Sequence, residues 1–231
     1  MNTVEKIELL NALEETEQLS SDDHFEILKK LSRDSDEDIR FRVAYIISSF
    51  HNESSKNVLI ELAKDKDHLV RIEAYDCLST YYYKDVERLL KKAIRKEKIC
   101  ALACFYAVKS WADVTCELYD ITSGQLKYIQ TLQKSKRFYR SERCQLALCY
   151  AEYVLGNDDA LKKLFKYLRH KNTDLRSSAV MLLMQILYED NYEMIEREID
   201  SLSKREKSKS VKYSILDFED KKAWLHMQID H

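Results

Sequence analysis

Proline is absent from the 231-residue chain, and glycine occurs only at Gly124 and Gly156. Tight turns between strands draw on glycine, asparagine and proline for their backbone angles, so a β-rich fold is excluded and an all-α class is expected. The same scarcity excludes glycine-rich phosphate loops and the nucleophile elbow of hydrolases, which need glycine at fixed places. There is no His-Glu-x-x-His segment, and the six histidines form no constellation. No run of about 18 apolar residues occurs, and the N-terminus, MNTVEKIELLNALEE, interleaves acids with apolar residues where a signal peptide would carry an unbroken apolar core. A cytoplasmic protein that is not an enzyme is the expectation.

Six cysteines without a secretory signal read as reduced, buried small hydrophobes. Cys100 and Cys104 lie four apart, but no second pair or nearby histidine completes a four-ligand zinc set, so neither a metal nor a cofactor is expected. Asp34, Asp36 and Asp38 alternate as at the start of a calcium loop, yet Ile39 and Tyr45 stand where glycine and glutamate are required. Capping of a helix N-terminus suits these acids better. The net charge of −2 conceals an asymmetry: residues 1–38 hold 12 acidic and 4 basic side chains, a net of −8 against +6 on the rest.

Within the apolar pattern a unit recurs: an apolar residue followed by arginine, a small or branched residue four positions after the first, and another apolar residue at eight. It reads Ile39-Arg40 with Val43 and Ile47, Val70-Arg71 with Ala74 and Leu78, and Leu175-Arg176 with Ala179 and Leu183. This spacing marks one buried helix stripe. Degenerate copies place Ile99-Cys100 and Arg143-Cys144 in the same frame. The second positions, 40, 71, 100, 144 and 176, are separated by 31, 29, 44 and 32 residues, which locates an insertion near 111–123. A second amphipathic segment precedes each copy, as in HFEILKKLSR, NVLIELAKD, DVERLLKKAIRK and ALKKLFKYLRH. The expected repeat is a hairpin of helix A and helix B, six or seven in all, in one domain spanning 1–231 with a capping C-terminal hairpin at 191–231.

The segments DSDEDIRFRVAYII, DKDHLVRIEAYDCL and NTDLRSSAVMLL resemble the HEAT-repeat (armadillo-like) family over about residues 22–190. The resemblance implies a right-handed α–α superhelix, a solenoid whose B helices line an inner, concave face and whose usual role is protein binding. Arg40, Arg71 and Arg176 are expected to pair with turn aspartates of adjacent repeats as structural, exposed ladder pairs contributing about 0–1 kcal/mol each.

On the B helices, offsets of 2, 6, 9 and 13 from the first apolar residue point away from the core stripe, at about 100° per residue. They include Phe41, Tyr45, Asp76, Tyr83, Phe105, Met181, Met184 and Tyr188. With Lys109 and Tyr153 these residues form the expected partner-binding surface, since aromatic and methionine side chains dominate interface hot spots. The acidic N-terminal repeats would steer a basic region of the partner. A free-standing solenoid of this kind suits a bacterial inhibitor, for instance an immunity protein that blocks a toxin.

The alternative reading is nucleic-acid binding. In KSKRFYRSER, Lys134, Lys136, Arg137, Arg140 and Arg143 surround Phe138 and Tyr139, a combination that suits phosphates and a stacked base; KREKSKSVK at 204–212 is a second basic cluster. Lys109-Ser110-Trp111-Ala112-Asp113 also resembles part of a motif of HEAT-like DNA glycosylases for alkylated bases. Here Ala112 replaces that motif's second tryptophan and Cys116 its catalytic aspartate, and a pI near 6.3 is low for a dedicated nucleic-acid binder.

Overall fold

Polar side chains at the chain's turns set where its helices begin. The computed structural model describes residues 2–15, 22–97, 100–120 and 123–229, in which every regular element is an α-helix or a helical turn. The chain divides into two compact units, Met1–Asp120 and Ile121–His231. The first contains α1 (Thr3–Glu14), α2 (Asp22–Leu31), α3 (Glu37–Ser48), α4 (Glu53–Leu62), α5 (His68–Leu78), α6 (Lys84–Lys96) and α7 (Ala101–Leu118). The second contains α8 (Ser123–Lys134), α9 (Lys136–Tyr139), α10 (Glu142–Val154), α11 (Asp159–Tyr167), α12 (Thr173–Gln185), α13 (Tyr192–Ser203) and α14 (Lys209–Ile229).

In unit 1 the hairpins are α2/α3, α4/α5 and α6/α7, and the B helices α1, α3, α5 and α7 pack in succession. In unit 2, α8 and α9 pack on α10, α11 on α12 and α13 on α14, with α10, α12 and α14 in succession. The stripe read from the sequence is the core: Ile39, Val43, Ile47, Val70, Ala74, Leu78, Ala179 and Leu183 are fully buried, and Leu175 nearly so. Leucines of the A helices, such as Leu28, Leu59, Leu90 and Leu164, close the hairpins from the other side. Each such side chain contributes about 1.5–3 kcal/mol on burial.

The expected insertion takes a different form. Residues 111–118 continue α7, which runs for 18 residues, and 121–122 lie outside the described residues. The short helix α9 supplies further extra length ahead of α10. Gly156, at φ 88°, ends α10 in the left-handed region that a residue with a Cβ resists.

Capping fixes the repeat frame more firmly than apolar pattern does. Asp36 caps α3 by accepting from the Asp38 backbone N–H at 3.0 Å, Asp67 caps α5 through Leu69 N–H at 2.8 Å, and Asn172 caps α12 through Asp174 N–H at 2.8 Å. Arg40, Arg71 and Arg176 each stand four residues after their cap. By this measure α7, capped by Cys100, and α10, capped by Ser141, carry Cys104 and Gln145 at the arginine position. The frame positions 100 and 144 are corrected accordingly. Ile99 lies outside the described residues.

Every one of the three arginines joins two hairpins. Arg40 donates from Nε and Nη2 to the two carboxylate oxygens of Asp65 at 2.7 and 2.9 Å, and from Nη1 to the Asp34 and Ser35 carbonyls of its own hairpin at 2.8 and 3.1 Å. Arg71 repeats the arrangement with Glu97 at 2.6 and 3.1 Å and with the Asp65 and Lys66 carbonyls. Arg176 repeats it with Glu206 at 2.7 and 2.9 Å and with the His170 and Lys171 carbonyls. Two of the three acids are thus glutamates, where aspartates were expected. The arginine side chains retain 5, 18 and 15% exposure and their partners 11, 9 and 4%, so these are largely buried forks, not exposed ladder pairs.

The acids of two forks also shape their turns. Asp65 Oδ1 accepts the Asp67 N–H at 2.8 Å, and Glu206 Oε1 accepts the Ser208 N–H at 2.8 Å. A fourth member was not evident in the sequence: Lys6 of α1, four residues after the cap Asn2, lies 2.6 Å from Asp34. Gln145 keeps only half of the device, donating to the Phe138 carbonyl of its own hairpin at 2.8 Å.

Candidate partner-binding surface

In unit 1 the residues expected to face a partner fall into two groups. Tyr45, on α3, is 54% exposed, and Phe41 one turn earlier is half-buried. Tyr83, which opens α6, is 45% exposed beside the exposed Tyr82. Its ring is braced by the Lys56 ammonium 4.4 Å from the centroid, and Lys56 is itself held by Glu53 at 2.8 Å and Asp85 at 3.0 Å. Asp76 is half-buried on α5.

Phe105 and Lys109 on α7 require correction: both are buried, with 1 and 2% exposure. The offsets that lead to solvent on α3 lead to core here, because α7 is apolar around most of its circumference. Ala103, Val108, Trp111 and Ala112 are all fully buried along with Phe105. Lys109 is tolerated there because its ammonium lies 2.8 Å from Asp76 and 3.4 Å from Asp113. Burial opposes the charge, yet the two carboxylates outweigh it and raise the Lys109 pKa above the ordinary lysine value. Trp111 donates its indole N–H to Glu87 at 3.0 Å. Of the segment that resembles the glycosylase motif, Lys109 to Ala112 are therefore buried and Asp113 is half-buried, as is Cys116, whose thiol burial raises to about 11.

In unit 2, Met181 and Met184 are half-buried on α12, and Tyr188, just beyond its end, is 62% exposed. Tyr153 is half-buried, and its hydroxyl accepts from Asn191 Nδ2 at 2.9 Å. Asn191 also donates to the Ile186 carbonyl at 2.6 Å and accepts the Tyr188 N–H at 2.9 Å, so it fastens the turn that displays Tyr188. Sequence reasoning passed over Asn191, and also the exposed Tyr213, Leu216, Trp224 and Met227 of α14. Their helical spacing, offset from the buried Val211, Ile215 and Phe218, was the available signal.

The basic run lies at the corner from α8 to α10. Lys134, Lys136, Arg140 and Tyr139 are exposed. Arg137 sits 4.5 Å from the centroid of the buried Phe138 ring, and Arg143 lies 3.5 Å from Asp174. The ring with a cation against it is thus the buried one, and of the two rings in this run Tyr139 is the exposed one.

All six cysteines are free thiols. Among the described residues no group of three or more His, Cys, Asp or Glu side chains is placed to hold a metal ion. Among the same residues no helix is long and apolar enough to cross a membrane.

Residues 25–102, from α2 to the start of α7, match the family model for HEAT repeats. A chain from the complex of CpcE and CpcF of phycocyanin lyase from Nostoc sp. PCC7120 is similar in fold, with a TM-score of 0.58 and 16% identity over 88% of this chain and 84% of that one. YibA of E. coli aligns with a TM-score of 0.49 and 18% identity, over 100% of this chain and 81% of that one. An archaeal HEAT-like repeats protein from Thermococcus onnurineus NA1 aligns with a TM-score of 0.36 and 16% identity, over 97 and 99% of the two chains. No protein of curated function matches the sequence. Residues 25–102 thus match HEAT repeats, and the capped and forked hairpins of both units give the chain a fold similar to that of the CpcE–CpcF chain.

Proposed function

We propose that the chain is a non-enzymatic protein-binding module whose B helices present aromatic and methionine side chains to a partner protein. The exposure of Tyr45 and Tyr188, 54 and 62%, carries this reading. Tyr45 sits at the predicted outward offset of α3, whose opposite face is core, and Tyr188 just past the end of α12, and exposed tyrosines of this kind anchor interfaces. Phe41, Asp76 and Tyr83 extend the surface in unit 1, and Tyr153, Met181 and Met184 do so in unit 2. The acidic N-terminal helices favour a partner with a basic region facing them. The CpcE–CpcF complex, similar in fold, is itself an assembly of two proteins. A bacterial inhibitor, such as an immunity protein that masks a toxin, is a role of this chemical type.

The test is affinity capture from the native host with the wild type and with Tyr45→Asp and Tyr188→Asp variants of unchanged helicity. A protein retained stoichiometrically by the wild type and lost by the variants supports the reading. Recovery of nucleic acid alone, sensitive to Lys136→Glu and Arg140→Glu, would replace it with the nucleic-acid reading. Release of an alkylated base from duplex DNA would establish an enzyme.

A further inference from the structure

Helix α6 carries Lys84, Arg88, Lys91, Lys92, Arg95 and Lys96 against two acids, Asp85 and Glu87. Both acids are already engaged: Asp85 accepts from Lys56 at 3.0 Å, and the buried Glu87 accepts from Trp111 at 3.0 Å and lies 3.8 Å from Lys91. Cations outnumber acids on α6 by six to two, and Lys91 takes up one of the acids through its contact with Glu87. Among the described residues Lys92 and Lys96 are exposed and have no carboxylate partner.

This face borders a groove of about 470 Å³ between α6 and the end of the preceding hairpin. Ala63, Tyr75, Leu89 and Ala93 form an apolar floor, and Lys92 and Lys96 stand on the rim beside Lys64, which is paired with Glu61 at 2.6 Å. Two acids also line it, yet each is neutralised: Asp65 by Arg40 and Glu97 by Arg71. The neighbouring groove of about 540 Å³, lined by Phe25, Lys29, Arg33, Val58 and Glu61 among others, carries less of this excess, since Lys29 pairs with Glu26 and Glu61 with Lys64, which leaves Arg33 as its remaining cation.

We infer that the α4–α6 groove docks an acidic segment of a partner protein, with apolar side chains on the Ala63–Leu89–Ala93 floor and carboxylates on the lysine rim. The volume falls in the range of sites that enclose small ligand-sized groups, about 300–1,000 Å³. The apolar floor favours a peptide over nucleic acid, whose sequence-independent binding needs cations along a phosphate track and exposed rings to stack bases. Tyr75, the groove's aromatic residue, is buried with its hydroxyl bonded to Glu97 at 2.9 Å. The surface lies on the A-helix side of unit 1 and uses none of the residues assigned to the B-helix face.

The experiment measures fluorescence anisotropy of labelled peptides with the full-length protein. The probes are a peptide alternating pairs of glutamate and leucine, the same peptide with glutamine for glutamate, and a labelled DNA oligonucleotide in single- and double-stranded form. The acidic peptide is expected to bind in a salt-sensitive way, with Lys92→Glu/Lys96→Glu weakening it by at least about tenfold. Ala93→Trp, which fills the floor and leaves the charges in place, is expected to weaken it comparably, while Tyr45→Asp leaves it unchanged. Lys92→Gln/Lys96→Gln provides a milder second variant should charge reversal disturb folding. No binding of the acidic peptide, equal binding of the glutamine peptide, indifference to the lysine variants, or tighter binding of DNA at the same lysines overturns the inference.

Discussion

Arg71 and Glu97 meet through two parallel hydrogen bonds of 2.6 and 3.1 Å across 26 residues of sequence, and the third guanidinium nitrogen stays bonded to the turn just before α5. One side chain thereby fixes both its own turn and the position of the next hairpin. Tyr75 adds its hydroxyl to the same carboxylate at 2.9 Å, which leaves Glu97 dependent on donors from α5. Removing Arg71 strands a largely buried carboxylate. Arg71→Met is expected to cost about 3–5 kcal/mol, and the double change Arg71→Met/Glu97→Met much less than the single change, because paired apolar replacements of a buried ion pair are far milder than breaking it. Urea denaturation of the two variants, read as a double-mutant cycle, checks this.

Acid should weaken the protein through Glu206. Hydrogen bonding from Arg176, helped by the Ser208 and Lys207 N–H groups, lowers its carboxyl from 4.5 to about 2. Above 4.5 the group is ionised in folded and unfolded chains alike, and its full contribution is present. As the pH falls from 4.5 towards 2 the unfolded chain takes up the proton first, so stability declines by about 3 kcal/mol over that window. Glu206→Gln is expected to be less stable at neutral pH and to show a flatter loss between pH 5 and 2, measured by chemical denaturation at each pH.

Restoring the missing fork is a constructive test. Gln145 stands at the arginine position of α10, and His170 stands where the next hairpin would supply the acid, accepting the Asn172 N–H at 3.1 Å as Asp65 accepts that of Asp67. The double variant Gln145→Arg/His170→Asp is expected to exceed the sum of its single variants by about 1–3 kcal/mol of coupling. Additive single effects would show that position alone does not make the fork.

Phe105→Asp is expected to unfold the protein or destabilise it by more than about 4 kcal/mol, since it places a charge where 1% of the side chain is exposed. Tyr45→Asp is expected to change stability by about 0.5 kcal/mol or less while abolishing partner binding. Melting curves and binding measured on the same two samples separate them.

The all-α class was legible because two glycines and no proline cannot turn a β-sheet, and the buried stripes were legible because α3, α5 and α12 are apolar on one side only. The same reasoning failed on α7. A helix apolar on every side carries no phase, so Phe105 and Val108 could not be told from surface residues. Lys109 was misplaced because lysine is presumed solvated; its compensating Asp113, one turn on, was visible, but Asp76 lies 33 residues away. Cys104 and Gln145 were missed as ladder positions because neither is cationic and only the helix caps reveal their frame. Lys6 was legible in principle, since Asn2 precedes it by the same four residues that separate Asp36 from Arg40.

The forks have a consequence for how the length of such a chain can change. Arg40 reaches an acid 25 residues ahead and Arg71 one 26 ahead, so plug and socket share a pitch across these two hairpins. Excising residues 41–71 would leave Arg40 at Arg71's distance from Glu97, with every seam still matched. A whole hairpin is thus a removable part, whereas a cut that ends within a hairpin parts a cation from its acid.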